Sequence, residues 1–251
     1  MSWLSEALGR CVLQPDDLGY LLARGAREER IAELGIVSWD PSACEPRTGD
    51  ADWCRLGSEG AASHAFGMIA IPLRSARGII IGVDFRTTWR AQKVVLRHML
   101  PEAAWNPTFI GLTSSATERI WAGCDVWLAE GFFDVCALEW AAGSAAVVFG
   151  CGHAAVSQQQ VKLLVRLLPP EARVLVIFDN DPVGRRGATG GVNPTTGKYH
   201  RGAVDWLSTA GLLVSDAGLY PAKDPGVLWD RGGRAEVVRV FGSHANIHQA
   251  G

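Results

Sequence analysis

Residues 173–184 read Arg-Val-Leu-Val-Ile-Phe-Asp-Asn-Asp-Pro-Val-Gly. After the leading arginine comes an unbroken apolar, β-branched run, the composition of a strand buried on both faces. Asp179 and Asp181 close that strand, and Pro182 and Gly184 mark the break that follows. Two aspartates at alternate positions project to the same side and suit shared coordination of one hard cation. Gly184, like Gly131 upstream, lets the backbone approach a phosphate closely.

Outward from this stretch the chain alternates. Asp125–Ala129 (DVWLA) is a strand candidate closed by Glu130-Gly131, and Phe133–Ala142 follows as a helix. Ala145–Phe149 is the next strand. Ser157 is an N-cap for a helix whose Val161, Leu164, Val165 and Leu168 fall at i, i+3, i+4 and i+7, stopped by Pro169-Pro170. Downstream lie a Gly/Thr/Asn-rich loop over Gly184–Gly197, a helix near Gly202–Ala210 and a last strand near Leu212–Tyr220. Alternating strands and helices predict an α/β domain, a mostly parallel sheet with flanking helices. Sites in such sheets lie at the carboxyl ends of the strands. Glu130, Asp179 and Asp181 sit there, Asp134 follows Glu130 within one turn, and Asp224 comes after the last strand in Lys223-Asp224-Pro225. So many carboxylates at one edge require a counter-charge, and Mg²⁺ or Mn²⁺ with oxygen ligands supplies it.

Other uses of an Asp-x-Asp element fit less well. An EF-hand loop starting at Asp179 needs a glutamate at its twelfth position, where Gly190 stands. A phosphatase with Asp179 as nucleophile leaves Glu130 and Asp134 unexplained. A glycosidase pair gives no reason for a glycine-rich acidic cluster.

The residues before about 115 are less regular. A helical pattern over Pro15–Leu34 breaks at Gly25, Asp40–Ser63 reads as a loop, and Phe66–Leu73 with Gly78–Phe85 reads as a β-hairpin. The expected organisation is a small mixed α/β subdomain over 1–118, a catalytic α/β domain over 119–235 and a tail over 236–251.

Composition narrows the class. The 251 residues are 48% hydrophobic and carry a formal charge of −2, which excludes a disordered chain. Apolar runs are too short to span a bilayer, and the N-terminus lacks a signal-peptide pattern, so a cytoplasmic protein is expected. No two of the six cysteines form a CxxC pair, which argues against a structural zinc ribbon. Nucleic-acid binding must rest on local patches. One is Arg74, Arg77, Arg86, Arg90, Lys93 and Arg97, among which Asp84 is the only acid. Trp89 and Trp105 near it could stack on bases. A second is Arg185, Arg186, Lys198, His200 and Arg201. His153, after the second strand, is as compatible with packing as with phosphate contact.

Taken together, E-G-x-x-D (Glu130, Gly131, Asp134), D-x-D-x-x-G (Asp179, Asp181, Gly184) and Asp224-Pro225 resemble the TOPRIM fold. LAEGFFDVCAL and VLVIFDNDPVGRRGA are most similar to the corresponding stretches of DnaG-type primases. In the first half, Tyr20–Gly25 resembles their "YL..RG" element, Ile71–Arg74 with Arg77-Gly78 their "FPIRD..G" hairpin, and Asn106–Leu112 the segment ending in "YGL". The resemblance runs over roughly 15–232. It implies a DNA primase with a TOPRIM parallel sheet behind a small N-terminal subdomain, making short primers on single-stranded DNA from ribonucleoside triphosphates. A replicative helicase is an implied partner. Glu130, Asp179 and Asp181 are then the catalytic set and, with Asp134 and Asp224, the metal set. Arg24, Arg74, Arg86, Lys93, Arg185 and Lys198 are the nucleotide- or nucleic-acid-binding residues. The family's second acid of D-P-D is Gly226 here, and its zinc-binding and helicase-binding modules have no counterpart, which suggests a trimmed core of viral or mobile-element origin. A TOPRIM nuclease using the same carboxylates, or a non-catalytic nucleic-acid-binding module, are the alternatives.

Overall fold

The computed structural model describes residues 3–43, 67–87, 95–100 and 108–245. The chain divides into two compact units, one of residues 1–23 and 27–106, the other of residues 24–26 and 107–251.

The first unit carries helices α1 (Trp3–Arg10), α2 (Pro15–Ala23) and α3 (Glu28–Leu34) beside a four-stranded antiparallel sheet. Its strands β1 (Val37–Ser38), β2 (Ile69–Arg74), β3 (Ile80–Arg86) and β4 (Val95–Met99) lie in that order. Trp3, Leu4, Ala7 and Leu8 give α1 one apolar face, which packs on Trp39, Met68, Ala70, Val83 and Phe85 of the sheet side. Trp39 meets Phe85 edge-on at 5.3 Å and Trp3 at 6.0 Å. The expected hairpin is β2–β3, turning at Ser75–Gly78 with Gly78 at φ +77°. The helix read as one interrupted segment is two, α2 and α3. Most of the expected 40–63 loop lies outside the described residues.

The second unit is built on a parallel sheet of β5 (Asp125–Ala129), β6 (Ala146–Gly150), β7 (Arg173–Val176) and β10 (Leu213–Asp216), in the order β10-β7-β5-β6. All of β5 and β6 is buried, as expected of strands covered on both faces. Around them run α4 (Ser114–Trp121), α5 (Phe132–Ala142), α6 (Gln158–Leu167), α7 (Pro182–Thr189), α8 (Ala203–Thr209) and α9 (Pro225–Ala245). Ser157 caps α6 as expected, in a capping box with Gln160.

Two expectations need correction. The stretch 184–197 is not one loop. Asp181 accepts the N–H groups of Val183 and Gly184, and Pro182 stands at the first helical position, so α7 starts in spite of its glycines. A two-stranded hairpin, β8 (Gly191–Val192) with β9 (Tyr199–His200), then follows. Nor do residues 236–245 form a tail. They continue α9 past a break at Gly232-Gly233, and Val237 and Phe241 are buried in the same core as Trp127, Leu138 and Tyr220.

Candidate active site

The chain leaves β5 toward β6 and leaves β7 toward β10, on opposite sides, although β5 and β7 are neighbours. The loops after them therefore diverge, and the crevice between them is where α/β sheets place ligands. Glu130 stands after β5, and Asp179 and Asp181 after β7. The structure brings the two loops into contact: the Asp179 N–H donates to Glu130 Oε1 at 2.9 Å.

Asp181, Asp134 and Asp224, like Glu130, are each oriented by backbone N–H donors. Asp181 Oδ1 accepts Val183 N–H and Gly184 N–H, both at 2.9 Å. Asp134 Oδ2 accepts Gly131 N–H at 3.0 Å and its Oδ1 accepts Gly226 N–H at 3.4 Å. Asp224 Oδ1 accepts Val227 N–H at 2.7 Å at the start of α9. Gly184 is indispensable: a Cβ there would lie 2.2 Å from the Asp179 carbonyl oxygen and 2.6 Å from Glu130 Oε1.

Charge crowding shows in the protonation equilibria. Burial, followed by repulsion from Asp134 and Asp181, pushes Glu130 up to about 7 against a helping bond from the Asp179 N–H. Burial, then Asp134, Glu130 and Asp224, push Asp179 up to about 8. Asp181 goes the other way, held down chiefly by the Gly184 N–H and also by Val183 N–H and Lys223. Because the folded protein binds protons more tightly at Glu130 and Asp179 than the unfolded chain, stability should fall as pH rises from about 4 to about 8. In EDTA we expect the melting temperature to drop on the order of 5 °C between pH 5 and pH 8. The Asp179→Asn protein should lose much of that slope. A flat profile, or one unchanged in the variant, would contradict the crowding.

This donor set matches a hard divalent cation in kind: carboxylate oxygens that repel one another and are preset by backbone donors. Among the described residues no three acids, histidines or cysteines converge closely enough, as they stand, to hold a metal ion. Lys223 stands between two of them, its Nζ 3.9 Å from Asp179 Oδ2 and 3.7 Å from Asp181 Oδ2. The sequence offers one signal for Lys223, a cation inside the acidic stretch Lys223-Asp224-Pro225, and assigns it no role.

The predicted basic residues are placed unevenly. Arg24 belongs to the second unit. Its guanidinium lies 4.8 Å from the centre of the Phe133 ring and 3.4 Å from Asp230 Oδ2, and its Nη2 is 3.3 Å from where a Gly226 Cβ would stand, beside Asp224 and Asp134. Arg86 is not on an open face: it is buried against Asp84 at 3.1 Å, a same-side neighbour two residues back on β3. Arg74 is half-buried, its guanidinium donating to the Gly78 carbonyl at 3.0 Å, and burial holds its pKa below the usual value. Arg185 is committed to Asp216 through both terminal guanidinium nitrogens, Nη1 at 3.1 Å. Arg201 pairs with Asp205 at 2.6 Å and stacks on Trp206. Lys198 is exposed on the β8–β9 hairpin. Lys93, Trp89 and Trp105 lie outside the described residues.

Comparison with solved structures bears on this geometry. The Aquifex aeolicus primase, crystallised with its zinc-binding and RNA polymerase domains, superposes with a TM-score of 0.61 at 18% identity, over 95% of this chain and 57% of that one. The fold is that of primase catalytic cores. The RNA polymerase domain of Mycobacterium tuberculosis primase, solved with a DNA duplex bearing a 6-nucleotide overhang, gives 0.64 at 19% identity, over 94% and 76% of the two chains. The primase fragment of the bacteriophage T7 primase-helicase gives 0.52 at 15%, over 92% and 73%. No family model and no curated protein matches the sequence. The primase-core likeness is thus carried by structure, with the mixed α/β architecture, the parallel sheet and the antiparallel sheet all in common. Among the described residues no helix is long and apolar enough to cross a membrane.

Proposed function

We propose that the chain is the catalytic core of a DNA primase, a cytoplasmic nucleotidyltransferase that joins ribonucleotides into short primers on a single-stranded DNA template. The observation that carries this reading is the meeting of Glu130 and Asp179, with Asp181 two residues on, at the strand ends of a primase-like fold. The DNA complex of the Mycobacterium relative supports a nucleic-acid template.

Glu130, Asp179, Asp181 and Asp224 would hold Mg²⁺ or Mn²⁺, which when bound neutralises the polyphosphate and stabilises charge developing on it. Asp134 orients the Glu130-Gly131 turn through the Gly131 N–H. Glu130 serves either as one of those ligands or as the base that takes the proton of the primer 3′-hydroxyl as that oxygen attacks the α-phosphorus and pyrophosphate leaves. Arg24, beside Asp224 and with its Nε buried without a hydrogen-bond partner, would meet the outer phosphates of the nucleotide. Exposed Lys198 would contact template phosphate, which fixes register without reading sequence, and the resemblance gives Lys93 the same role. Arg74, Arg86 and Arg185 are engaged instead by the Gly78 carbonyl, Asp84 and Asp216. A replicative helicase is the partner that would bring template.

The test is synthesis on circular single-stranded DNA with labelled ribonucleotides and Mg²⁺ or Mn²⁺. Short labelled oligomers support the reading. Degradation of the circle by the same carboxylates would replace it with a metal-dependent nuclease, and binding without either would leave a non-catalytic module.

A further inference from the structure

Lys223 is set against the acids by a laced loop. The Asn180 N–H donates to the Lys223 carbonyl, Asn180 Nδ2 donates to the Tyr220 carbonyl at 2.7 Å, and the Tyr220 hydroxyl donates to the Phe178 carbonyl at 2.9 Å. These bonds tie residues 220–223 to 178–180, so the backbone of Lys223 is fixed relative to the two aspartates that flank Asn180. Its side chain is not fixed: it is 60% exposed, and neither carboxylate is nearer than 3.7 Å. The ammonium is therefore centred between two oxygens rather than locked to one. One of them, Asp181 Oδ2, is the oxygen left over after Oδ1 has capped α7. A compact, strongly hydrated point charge on a flexible stem occupies the place of a cation but holds it loosely.

We propose that Lys223 is a tethered counter-ion of the Asp179–Asp181 pair, which yields that place to a divalent cation and then meets the charge of an incoming polyphosphate. The proposal rests on the metal reading of the site given above. It makes the two ligands interdependent. A divalent ion arriving alone must displace the ammonium, whereas a polyphosphate offers the ammonium a new partner as it leaves. By linkage each ligand then strengthens the other.

Two titrations at pH 7.5 separate this from a structural role. Mn²⁺ uptake without nucleotide, followed by electron paramagnetic resonance, should be tighter by about five- to tenfold in Lys223→Met, because a competing charge is gone. Inorganic triphosphate binding in EDTA should weaken by a similar factor in the same protein. Lys223→Arg should track the wild type in both. A merely structural lysine would weaken both bindings or neither, and equal or weaker Mn²⁺ uptake by Lys223→Met overturns the proposal. If wild type and Lys223→Met both take up no Mn²⁺, the metal reading itself falls and takes the proposal with it. Weaker triphosphate binding beside unchanged Mn²⁺ uptake would make Lys223 a phosphate ligand only, which also overturns it.

Discussion

Glu130→Gln is expected to lower primer synthesis about 10²–10³-fold while leaving the fold intact at acidic pH. Glutamine keeps an oxygen for the Asp179 N–H, so the link between the two strand-end loops survives. It cannot take a proton, and it removes one negative charge from the crowded edge. The stability consequence has a definite sign. At pH 5 the buried Glu130 is already protonated, and the variant should melt close to the wild type. At pH 8 in EDTA the wild type carries an unfavourable buried charge that the variant lacks, so the variant should be the more stable protein. Activity lost together with stability gained is the signature of a functional carboxylate. Loss of stability at every pH would instead mark Glu130 as a structural residue.

Gly184→Ala should be as damaging by another route. The added methyl meets a backbone carbonyl at 2.2 Å and a carboxylate oxygen at 2.6 Å. Neither can yield cheaply: the loop after β7 is tied to residues 220–223, and Glu130 is bonded to the Asp179 N–H. The start of α7 must move instead, which breaks the Asp181 cap at its Gly184 N–H. Overpacking of this kind costs about 1–3 kcal/mol, and the lost cap adds about 1 kcal/mol. Chemical denaturation should show the loss, and primer synthesis should fall below detection. Gly19→Ala in α2, where nothing lies within 4 Å of the added carbon, is the control and should stabilise by a few tenths to about 1 kcal/mol. Equal behaviour of the two alanines would mean that the tight approach at Gly184 is not maintained.

Asp125–Ala129 is legible as a strand because an apolar run bounded by Glu-Gly has few other fates, and the structure starts and ends it at those residues. The three strand-end acids are legible for the same reason, since the chain must turn where the apolar run stops. Helix α7 is not, because Gly184, Gly187 and Thr189 look like loop. The glycines serve close packing instead: a Cβ on Gly187 would lie 2.1 Å from the Ala154 carbonyl oxygen, a long-range fact with no local signature. The basic residues divide likewise. The Arg86–Asp84 pair could be foreseen, because residues two apart on a strand share a face. The Arg185–Asp216 pair joins the helix after β7 to the neighbouring strand β10 and depends on strand order, which the sequence pattern leaves open. Lys223 needed the lacing of residues 220–223 to residues 178–180 before its position acquired meaning.

The proposed role of Glu130, Asp179 and Asp181 is nucleotidyl transfer. Its most direct test is the first bond made: formation of a dinucleotide from two ribonucleoside triphosphates on a short single-stranded DNA, in a single turnover with Mn²⁺, read by mass spectrometry. A triphosphate-capped dinucleotide is expected with the wild-type protein and none with Asp179→Asn or Asp181→Asn. Dinucleotide formed by either variant at the wild-type rate, or none formed by a wild-type protein that binds both template and triphosphate, would contradict it.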